Sequence, residues 1–508
     1  MKALDLIIIF GYLIGIVLFG TWFGRKQKTT SDYFLGDRSV PWWAVAFSIV
    51  ATETSTITFI SVPGIAFSRG GNFQFLQLVF GYLLGRVVIS LLFIPSYFRG
   101  QLLTVYQLLD RRFGGKIKVL AASLFVVMRN IADGIRLLLT AIVLAAVYTS
   151  FQPTANAETI IIASVVLIGV AMIVFTYFGG MEAVIWVEVI QLGIYIAGAI
   201  AAAVVLIGVI DGGFSGASAL AAQFGKFSLF DFSLSATKTF TFWSGLIGGC
   251  FLTMSTHGTD QYLVQRYLCT DRPRKAIVAL MTSGAIVLGQ FIGFLFIGVL
   301  LFAFYHPFSD PNYMTAASAA FPFTGGDRVF PDFITKHLPS GLSGLVVAAI
   351  FAAAMSSSLN SIAATAVNDL YKPLRPNSSD KHYLKVSHIL TLTWGVVQIA
   401  VALAVRHQAR SALDQALSIA SLINGPILGV FLVGTFLRRV SQPPALIGML
   451  VSSSVMLYVF FGTSIAWTWY VLLGSLVTFV VAWLASFAFA ATPESRRDEL
   501  APVGVTED

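Results

Sequence analysis

The chain has 508 residues, of which 57% are hydrophobic and only 11% are charged. A soluble protein carries roughly 25% charged residues, so this composition excludes a soluble globular protein and predicts a polytopic membrane protein. The net charge of +8 comes from basic residues spread between apolar runs, which argues against a nucleic-acid partner.

About 13 apolar runs approach the ~20 residues that a helix needs to cross the hydrocarbon core. They fall at residues 5–23, 41–67, 73–98, 117–147, 159–178, 182–209, 240–264, 276–304, 341–370, 383–405, 412–437, 441–461 and 466–491. Two longer connections, 210–239 and 305–340, are rich in Gly, Pro, Ser and Phe and are predicted to cover an outer vestibule. The whole chain, 1–508, is therefore predicted to be a single membrane transport domain that ends in a short polar tail, 492–508.

The orientation in the bilayer follows from the lysines and arginines. Most of them lie in alternate connections between the apolar runs, and positive charge marks the cytoplasmic side. This pattern predicts a multi-pass protein of the plasma membrane with its N-terminus outside and its C-terminus in the cytoplasm. The leading run 5–23 lacks a small-residue cleavage site and ends in Gly24-Arg25-Lys26, which indicates a retained span.

Polar side chains interrupt the second apolar run at residues 51–58. Four threonines, one serine and Glu53 stand there among apolar residues. Polar groups at bilayer depth are costly and persist mainly where they face a cavity, a partner or an ion, and hydroxyls compete for the bonds of the helical ladder. A helix broken at this depth frees backbone carbonyls that bind a cation in many transporters. The stretch is predicted to be the unwound centre of a substrate and ion site.

A second interruption lies in the run 240–264, which contains Gly248-Gly249-Cys250 and the polar stretch 253–260. When the leading span 5–23 is set aside, residues 41–209 and 240–437 each supply five spans, and the interrupted span comes first in both sets. Because the number of spans in a set is odd, the two sets run in opposite directions. Matched interrupted helices in inverted halves predict a binding site at the membrane midplane.

Three motifs carry a resemblance to a known family. They are Gly-Gly-x-x-Ala-Val-x-Trp at 179–186, Gln-Tyr-x-x-Gln-Arg at 261–266, and a serine cluster leading into Leu-Asn-Ser at 356–361. Together with the stretch 51–58 they resemble the sodium/solute symporter family, which includes sodium–glucose, proline and sialic acid transporters. The resemblance covers nearly the whole chain. It implies an all-α, leucine-transporter-like fold: a 5+5 inverted repeat with one leading extra helix and, at 441–491, two trailing helices.

The resemblance also implies a sodium site between the broken helix and the span 341–370. Carried over residue by residue, its ligands are the backbone carbonyls of Ala51, Thr54 and Ala353 and the hydroxyls of Ser356 and Ser357. Hard cations prefer oxygen ligands, and positions i, i+3 and i+4 share one helix face. The serine segment is shorter here than in relatives, so the two serines alternatively match later serines of the motif. The competing interpretation is that the hydroxyls only bond carbonyls and allow close helix packing.

Glu188 occupies the position where the family usually has an aspartate. In some relatives that aspartate helps to bind a second sodium, so the resemblance makes Glu188 a possible ligand of a second sodium. Its alternative role is to cap a neighbouring helix.

Glu53 lies where relatives place a substrate-contacting Asn or Thr. A buried carboxylate needs a partner, and the candidates are Arg86, Arg136 and a cationic group of the solute. Asp133, three residues before Arg136, provides a local alternative partner for that arginine. Glu53 therefore belongs either to a structural ion-pair network or to a pair of opposite charges that binds the two ends of a zwitterion or a hydroxylated acid.

The residues predicted to contact the solute come from the two interrupted helices and from the spans at 73–98 and 117–147. They are Glu53, Ser55, Thr58, Gln77, Arg86, Arg136, Thr253 and Thr256.

The sequence therefore predicts a sodium-coupled secondary active symporter that imports a small polar organic solute by alternating access. The solute is an amino acid, an organic acid or a sugar, and sodium is the coupling ion. A proton-coupled symporter and a membrane solute sensor are the alternatives. The carboxylates show no paired acid–base or metal-ligand spacing, and no Walker-type phosphate loop is present, so no enzyme is predicted. Apart from the lipid bilayer, no obligate partner is expected.

Overall fold

The computed structural model describes residues 2–24, 27–100, 102–152, 154, 156–305, 326–355, 358–406 and 412–491. These residues form α-helices joined by turns and by short 3-10 and π-helical segments, and among them there is no β-strand. The α-helices are, in chain order, α1 (Ala3–Gly24), α2 (Thr30–Leu35), α3 (Trp42–Glu53), α4 (Thr56–Phe67), α5 (Leu76–Leu92), α6 (Ile94–Tyr97), α7 (Tyr106–Phe113), α8 (Gly115–Phe151), α9 (Ala157–Val209), α10 (Gly213–Gln223), α11 (Gly249–Gly258), α12 (Gln261–Leu268), α13 (Pro273–Tyr305), α14 (Val329–Lys336), α15 (Leu342–Met355), α16 (Leu359–Thr365), α17 (Asp380–Ala404), α18 (Ala412–Phe436), α19 (Gln442–Gly462) and α20 (Tyr470–Ala485).

Several of these helices have the length and the apolar composition of membrane spans. Within the described residues, seven helical segments could cross a membrane, and the bent pair α3–α4 makes an eighth if it is counted as one span. They include α1, α8, α9, α13, α17, α19 and the segment around α20. The chain is therefore a multi-pass membrane protein, as its composition predicts.

Helix α9 is divided at Gly180. Its 53 residues would extend for about 80 Å at 1.5 Å per residue, far more than the ~30 Å of a hydrocarbon core. Gly180 interrupts the helical backbone with φ 62° and ψ −165°, a conformation that glycine adopts readily. A Cβ there would also lie 2.8 Å from the carbonyl oxygen of Tyr33. The predicted boundary between the runs 159–178 and 182–209 is thus a glycine-dependent break.

The predicted break in the second apolar run is confirmed. Helix α3 ends at Glu53, where the amide of Thr54 still donates to the carbonyl of Val50 at 2.8 Å, and Thr54 itself has left the helical region with ψ 63°. Ser55 is extended and caps the N-terminus of α4, its hydroxyl accepting from the amide of Thr58. The two helices meet at an angle of 57°.

The second interruption is confirmed as well, at residues 259–260. Helix α11 ends at Gly258 and α12 begins at Gln261. Asp260 is the N-cap of α12, and its carboxylate accepts from the amide of Tyr262 at 2.9 Å. A π-helical turn, Ser244–Gly248, precedes α11.

Glycines bring α5 into backbone contact with α11 and with the π-helical turn that precedes it. A Cβ on Gly81 would lie 2.3 Å from the carbonyl oxygen of Gly245, and one on Gly85 would lie 2.7 Å from that of Cys250. Small residues permit such close approach between membrane helices. Because α5 is held against α11, the next residue after Gly85, Arg86, lies close to the second interrupted helix.

Asp5 attaches the leading helix to α15, and we expect Asp5→Ala to destabilise the protein by about 2 kcal/mol. Its buried carboxylate accepts from the amides of Gly341 at 2.6 Å and Gly344 at 3.0 Å and from the hydroxyl of Ser343 at 3.0 Å. The substitution leaves these donors without an acceptor. Thermal unfolding in detergent measures the effect; Asp211→Ala, at an exposed loop position, is the control. An equal, small shift in both variants would contradict the prediction.

Candidate functional site

A cavity of about 200 Å³ lies between the two breaks. Its lining comes from α3, α4, α5, α8, α11, α12, α13 and α18, and includes Thr52, Glu53, Ser55, Thr58, Val62, Phe75, Tyr82, Arg129, Ala132, Arg136, Leu252, Thr253, Thr256, His257, Tyr262, Leu263, Phe291 and Asn424. Six of the eight residues predicted to contact the solute are in this lining. The other two, Gln77 and Arg86, are buried beside it.

Gln77 connects α5 to the segment before the π-helical turn. Its side-chain amide donates to the carbonyl of Gln74 at 3.1 Å and to that of Phe240 at 3.5 Å. Its side-chain oxygen accepts from the amide of Asp231 at 3.0 Å. These bonds occupy the side chain, which is fully buried and outside the cavity lining.

Glu53 is the last residue of α3, and its carboxylate has two partners. One oxygen lies 2.5 Å from Nη2 of Arg86, and the other lies 2.7 Å from Nε2 of His257. Among the candidate partners within the chain, the structure thus pairs Glu53 with Arg86. The Arg86 side chain is fully buried, whereas that of Glu53 keeps 16% of its surface exposed and lines the cavity.

His257 extends this network across both breaks. Its Nδ1 lies 2.8 Å from the hydroxyl of Tyr267, and its Nε2 contacts Glu53. A hydrogen-bonded chain therefore runs from the end of α3, through α11, to α12. His257 thus connects α3 to α12, and Arg266 of α12 also donates to the hydroxyl of Ser48 on α3 at 3.0 Å. In the sequence, His257 is one member of the polar stretch 253–260.

Arg136 projects into the cavity from α8 and is only loosely paired. Its Nη1 lies 3.8 Å from the carboxylate of Asp133 and donates to the hydroxyl of Tyr262 at 3.2 Å. The Asp133 carboxylate accepts from the amide of Ser358 at 2.9 Å through its other oxygen. A loosely paired guanidinium has N–H donors available, and their planar fork fits the two oxygens of a solute carboxylate.

Two further arginines are bound tightly around the same tyrosine. Arg129 pairs with Asp260, and Arg266 lies 2.5 Å from the carboxylate of Glu188. The two guanidinium groups lie 4.5 and 4.6 Å from the ring centre of Tyr262, within the range of a cation–π interaction. These pairs were not predicted from the sequence, although Asp260, Tyr262 and Arg266 all belong to the segment around the Gln-Tyr-x-x-Gln-Arg motif.

The model of the sodium:solute symporter family matches residues 33–452. The chain belongs to this family. The predicted resemblance, the sodium coupling and the transport of a small solute are therefore confirmed, and the family consists of transporters rather than enzymes.

Sialic acid transporters are among the proteins most similar to this symporter. The sodium/sialic acid symporter NanT of Aliivibrio fischeri is 32% identical and aligns with 100% of this chain and 97% of that protein. The sodium/sialic acid symporter SiaT of Proteus mirabilis is 30% identical, with 97% and 96% covered.

Solved structures agree with the fold of the symporter. A substrate-bound, outward-open structure of a Na+-coupled sialic acid symporter superposes with a TM-score of 0.83 at 29% identity, covering 97% of this chain and 99% of that one. The nucleobase-cation-symport-1 transporter MHP1 superposes with a TM-score of 0.53 at 13% identity, with 92% and 97% covered. The second likeness concerns the fold alone.

Three of the residues expected to bind sodium in this symporter are described: Ala51 and Thr54 lie at the end of α3, and Ala353 lies in α15. Ala51 is in the last turn of α3, where carbonyls lack helical partners, and is 3% exposed. Thr54 is the first non-helical residue, and its hydroxyl contacts the side-chain oxygen of Gln290 at 2.8 Å. The backbone of Ala353 is within α15, which packs against α4 and α9. Ser356 and Ser357 lie outside the described residues.

Glu188 is fully buried, and its carboxylate binds several side chains. Besides Arg266, it accepts hydrogen bonds from the hydroxyls of Ser48 and, at 3.0 Å, Thr52. Ser48 and Thr52 are one turn apart on α3, so Glu188 connects α9 to the helix that carries the break.

Some lining residues of the symporter were missed by sequence reasoning. Phe75 and Phe291 stack with ring centres 5.1 Å apart and supply an apolar wall, and Tyr82 and Asn424 add polar groups. Phe75, Phe291 and Asn424 lie within apolar runs whose interior positions look alike in the sequence. Only the rotation of each helix about its axis decides which of them faces the cavity.

Proposed function

We propose that this symporter imports a sialic acid or a closely similar carboxylated, polyhydroxylated sugar acid. The observation that carries the proposal is the loosely paired guanidinium of Arg136 in the cavity wall, 3.8 Å from Asp133. Arg136 binds the carboxylate of the solute, because a planar guanidinium matches a carboxylate with two parallel hydrogen bonds. The sialic acid symporters that align with nearly the whole chain support this solute class.

The remaining predicted contacts suit the hydroxyls of such a solute. Glu53 accepts from a solute hydroxyl through the part of its carboxylate that faces the cavity, and the hydroxyls of Ser55, Thr58, Thr253 and Thr256 both donate and accept. Arg86 acts through Glu53, which it holds in place at 2.5 Å. Gln77 has no direct role in this scheme, since its bonds are to the backbone of neighbouring segments.

The coupling sodium binds between the end of α3 and residues 353–357, on the carbonyls of Ala51, Thr54 and Ala353 and the hydroxyls of Ser356 and Ser357. An ion at this place joins the broken helix to α15 and favours the arrangement that binds the solute. Such coupling is a free energy shared between the two ligands. One charge that crosses ~100 mV releases about 2.3 kcal/mol, which drives uptake against a gradient as the protein alternates its access. The second sodium at Glu188 stays a prediction.

We also propose the finer architecture and orientation predicted from the sequence. Residues 41–209 and 240–437 form two inverted sets of five spans, 5–23 leads them, and 441–491 adds two spans, for a total of about 13. The N-terminus is outside the plasma membrane and the tail 492–508 is cytoplasmic. The two breaks, at the first span of each set, support this arrangement.

Uptake into proteoliposomes tests the function. With an inward sodium gradient, labelled N-acetylneuraminate should accumulate above its external concentration. An inward proton gradient in place of the sodium gradient, with equal potassium concentrations on the two sides of the membrane, should give no accumulation. Competition by unlabelled amino acids and neutral sugars measures the solute class. Sodium-driven accumulation of another solute, with none of N-acetylneuraminate, would overturn the proposed substrate.

The double substitution Ser356→Ala/Ser357→Ala should raise the sodium concentration for half-maximal uptake about tenfold. Each hydroxyl is a hard oxygen ligand, and a loss of about 1.4 kcal/mol in binding is a factor of ten. Sodium titrations of uptake at saturating solute provide the measurement. Ser453→Ala/Ser454→Ala on α19 is the control, because both hydroxyls there donate to carbonyls four residues earlier. Unchanged sodium dependence in the first double variant would contradict the serine ligands.

A further inference from the structure

Asn424 places a neutral amide in the cavity wall, and among the described residues its nitrogen has no hydrogen-bond partner. Asn424, on α18, lines the cavity and is 3% exposed. Its side-chain nitrogen is buried and donates to no acceptor within the described residues. Buried polar groups in proteins are almost always hydrogen-bonded, and leaving one unpaired costs roughly 1–3 kcal/mol. An unpaired donor in a binding cavity is therefore a position where a ligand supplies the missing acceptor.

The backbone next to Asn424 packs closely on α20. A Cβ on the next residue, Gly425, would lie 3.0 Å from Cα of Gly474. The carbonyl of Gly425 also accepts from the hydroxyl of Ser475 at 3.2 Å. These contacts position the segment of α18 that carries Asn424 against α20.

The position of Asn424 complements the other polar groups. Helix α18 packs against α4, α8 and α11, which carry Thr58, Arg136 and Thr253. The cavity thus presents a cation for a carboxylate, a carboxylate and hydroxyls for solute hydroxyls, and the amide donor of Asn424. Because the guanidinium of Arg136 is proposed to bind the solute carboxylate, the amide of Asn424 is left for a neutral acceptor. The strongest neutral acceptor on a sugar acid is the carbonyl oxygen of an acylamino substituent.

We propose that Asn424 donates a hydrogen bond to the acylamino carbonyl of the transported sugar acid and determines the preference for N-acylated solutes. This assignment rests on the proposed function and adds to it the part of the solute that α18 recognises. A site built to bond a given group discriminates against analogues that lack it, because its own polar group is then left unpaired. Removal of the Asn424 side-chain amide should therefore abolish the preference for the acylated solute.

Two solutes and two variants test the role of Asn424. N-acetylneuraminate is compared with the analogue that carries a hydroxyl in place of the acetamido group, in sodium-driven uptake by the wild type and by Asn424→Leu. We expect the wild type to prefer the acylated solute by about tenfold in KM. Asn424→Leu should lose this preference, because the KM should rise more for the acylated solute than for the hydroxyl analogue.

The control is Gln398→Leu on α17. Gln398 is also fully buried, and neither of its amide atoms has a partner in the part of the chain that the structure describes. It lies outside the cavity lining, so this variant should keep the wild-type preference. If Asn424→Leu raises both KM values equally, or keeps the preference, the role of Asn424 is overturned and the proposed function stands. If the wild type takes up neither sugar acid, the proposed function fails first and the assignment fails with it.

Discussion

Arg136→Gln should weaken binding of the carboxylated solute by roughly 30- to 1,000-fold, the loss expected when one partner of a desolvated charge pair is removed, about 2–4 kcal/mol. Arg136 lines the cavity. Its guanidinium lies 3.8 Å from the Asp133 carboxylate, donates to the hydroxyl of Tyr262 and lies 5.9 Å from the centre of that ring. Glutamine keeps polarity and part of the length but loses the charge and the fork of donors. Solute titration by calorimetry at saturating sodium measures the change.

Two comparisons separate solute binding from folding. Arg406→Gln removes an arginine that pairs with Glu158 at 3.3 Å, outside the cavity, and should leave solute affinity unchanged. Sodium-dependent thermal stabilisation of Arg136→Gln should remain, because the proposed sodium ligands are on other segments of the chain. Wild-type affinity for the solute in Arg136→Gln would show that the carboxylate binds elsewhere.

Arg86→Met and Glu53→Leu should each destabilise the protein by about 3–5 kcal/mol, and the double variant should recover much of that loss. Breaking a buried ion pair leaves one uncompensated charge, whereas replacing both partners by apolar groups is often neutral. The pair is 2.5 Å apart, with the arginine fully buried. Thermal and denaturant unfolding of the two single variants and of the double variant provide the free energies of a double-mutant cycle.

A surface pair provides the matched comparison. Lys238 and Asp231 lie 3.4 Å apart, and the lysine side chain is 60% exposed, so Lys238→Met should change the free energy of unfolding by less than about 1 kcal/mol. Destabilisation that simply adds in the Glu53/Arg86 double variant would contradict the coupling. Solute uptake by the double variant should fall even if stability recovers, since Glu53 also faces the cavity.

The amino-acid sequence determined the class of the protein and the places where its helices break. The free-energy cost of polar groups in hydrocarbon depends on the residues at that point of the chain alone. Four threonines, a serine and a glutamate within residues 51–58 therefore indicate a break, and the structure has this break at Thr54 and Ser55. The polar stretch 253–260 likewise indicates the break at 259–260. The motif glycine at 180 takes a backbone conformation with φ 62° that explains why a glycine stands between two spans.

Only the tertiary structure decided how the charged and polar residues pair. Glu53 had two candidate arginines, and the choice of Arg86 depends on the contact of α5 with α11 beside the first break. The pairs Arg129–Asp260 and Arg266–Glu188 join residues far apart in the chain, and Asn424 reaches the cavity from the late helix α18. The apolar pattern of a membrane span identifies the span but carries little information about its rotation around its axis. Which side chains meet is set when the helices pack.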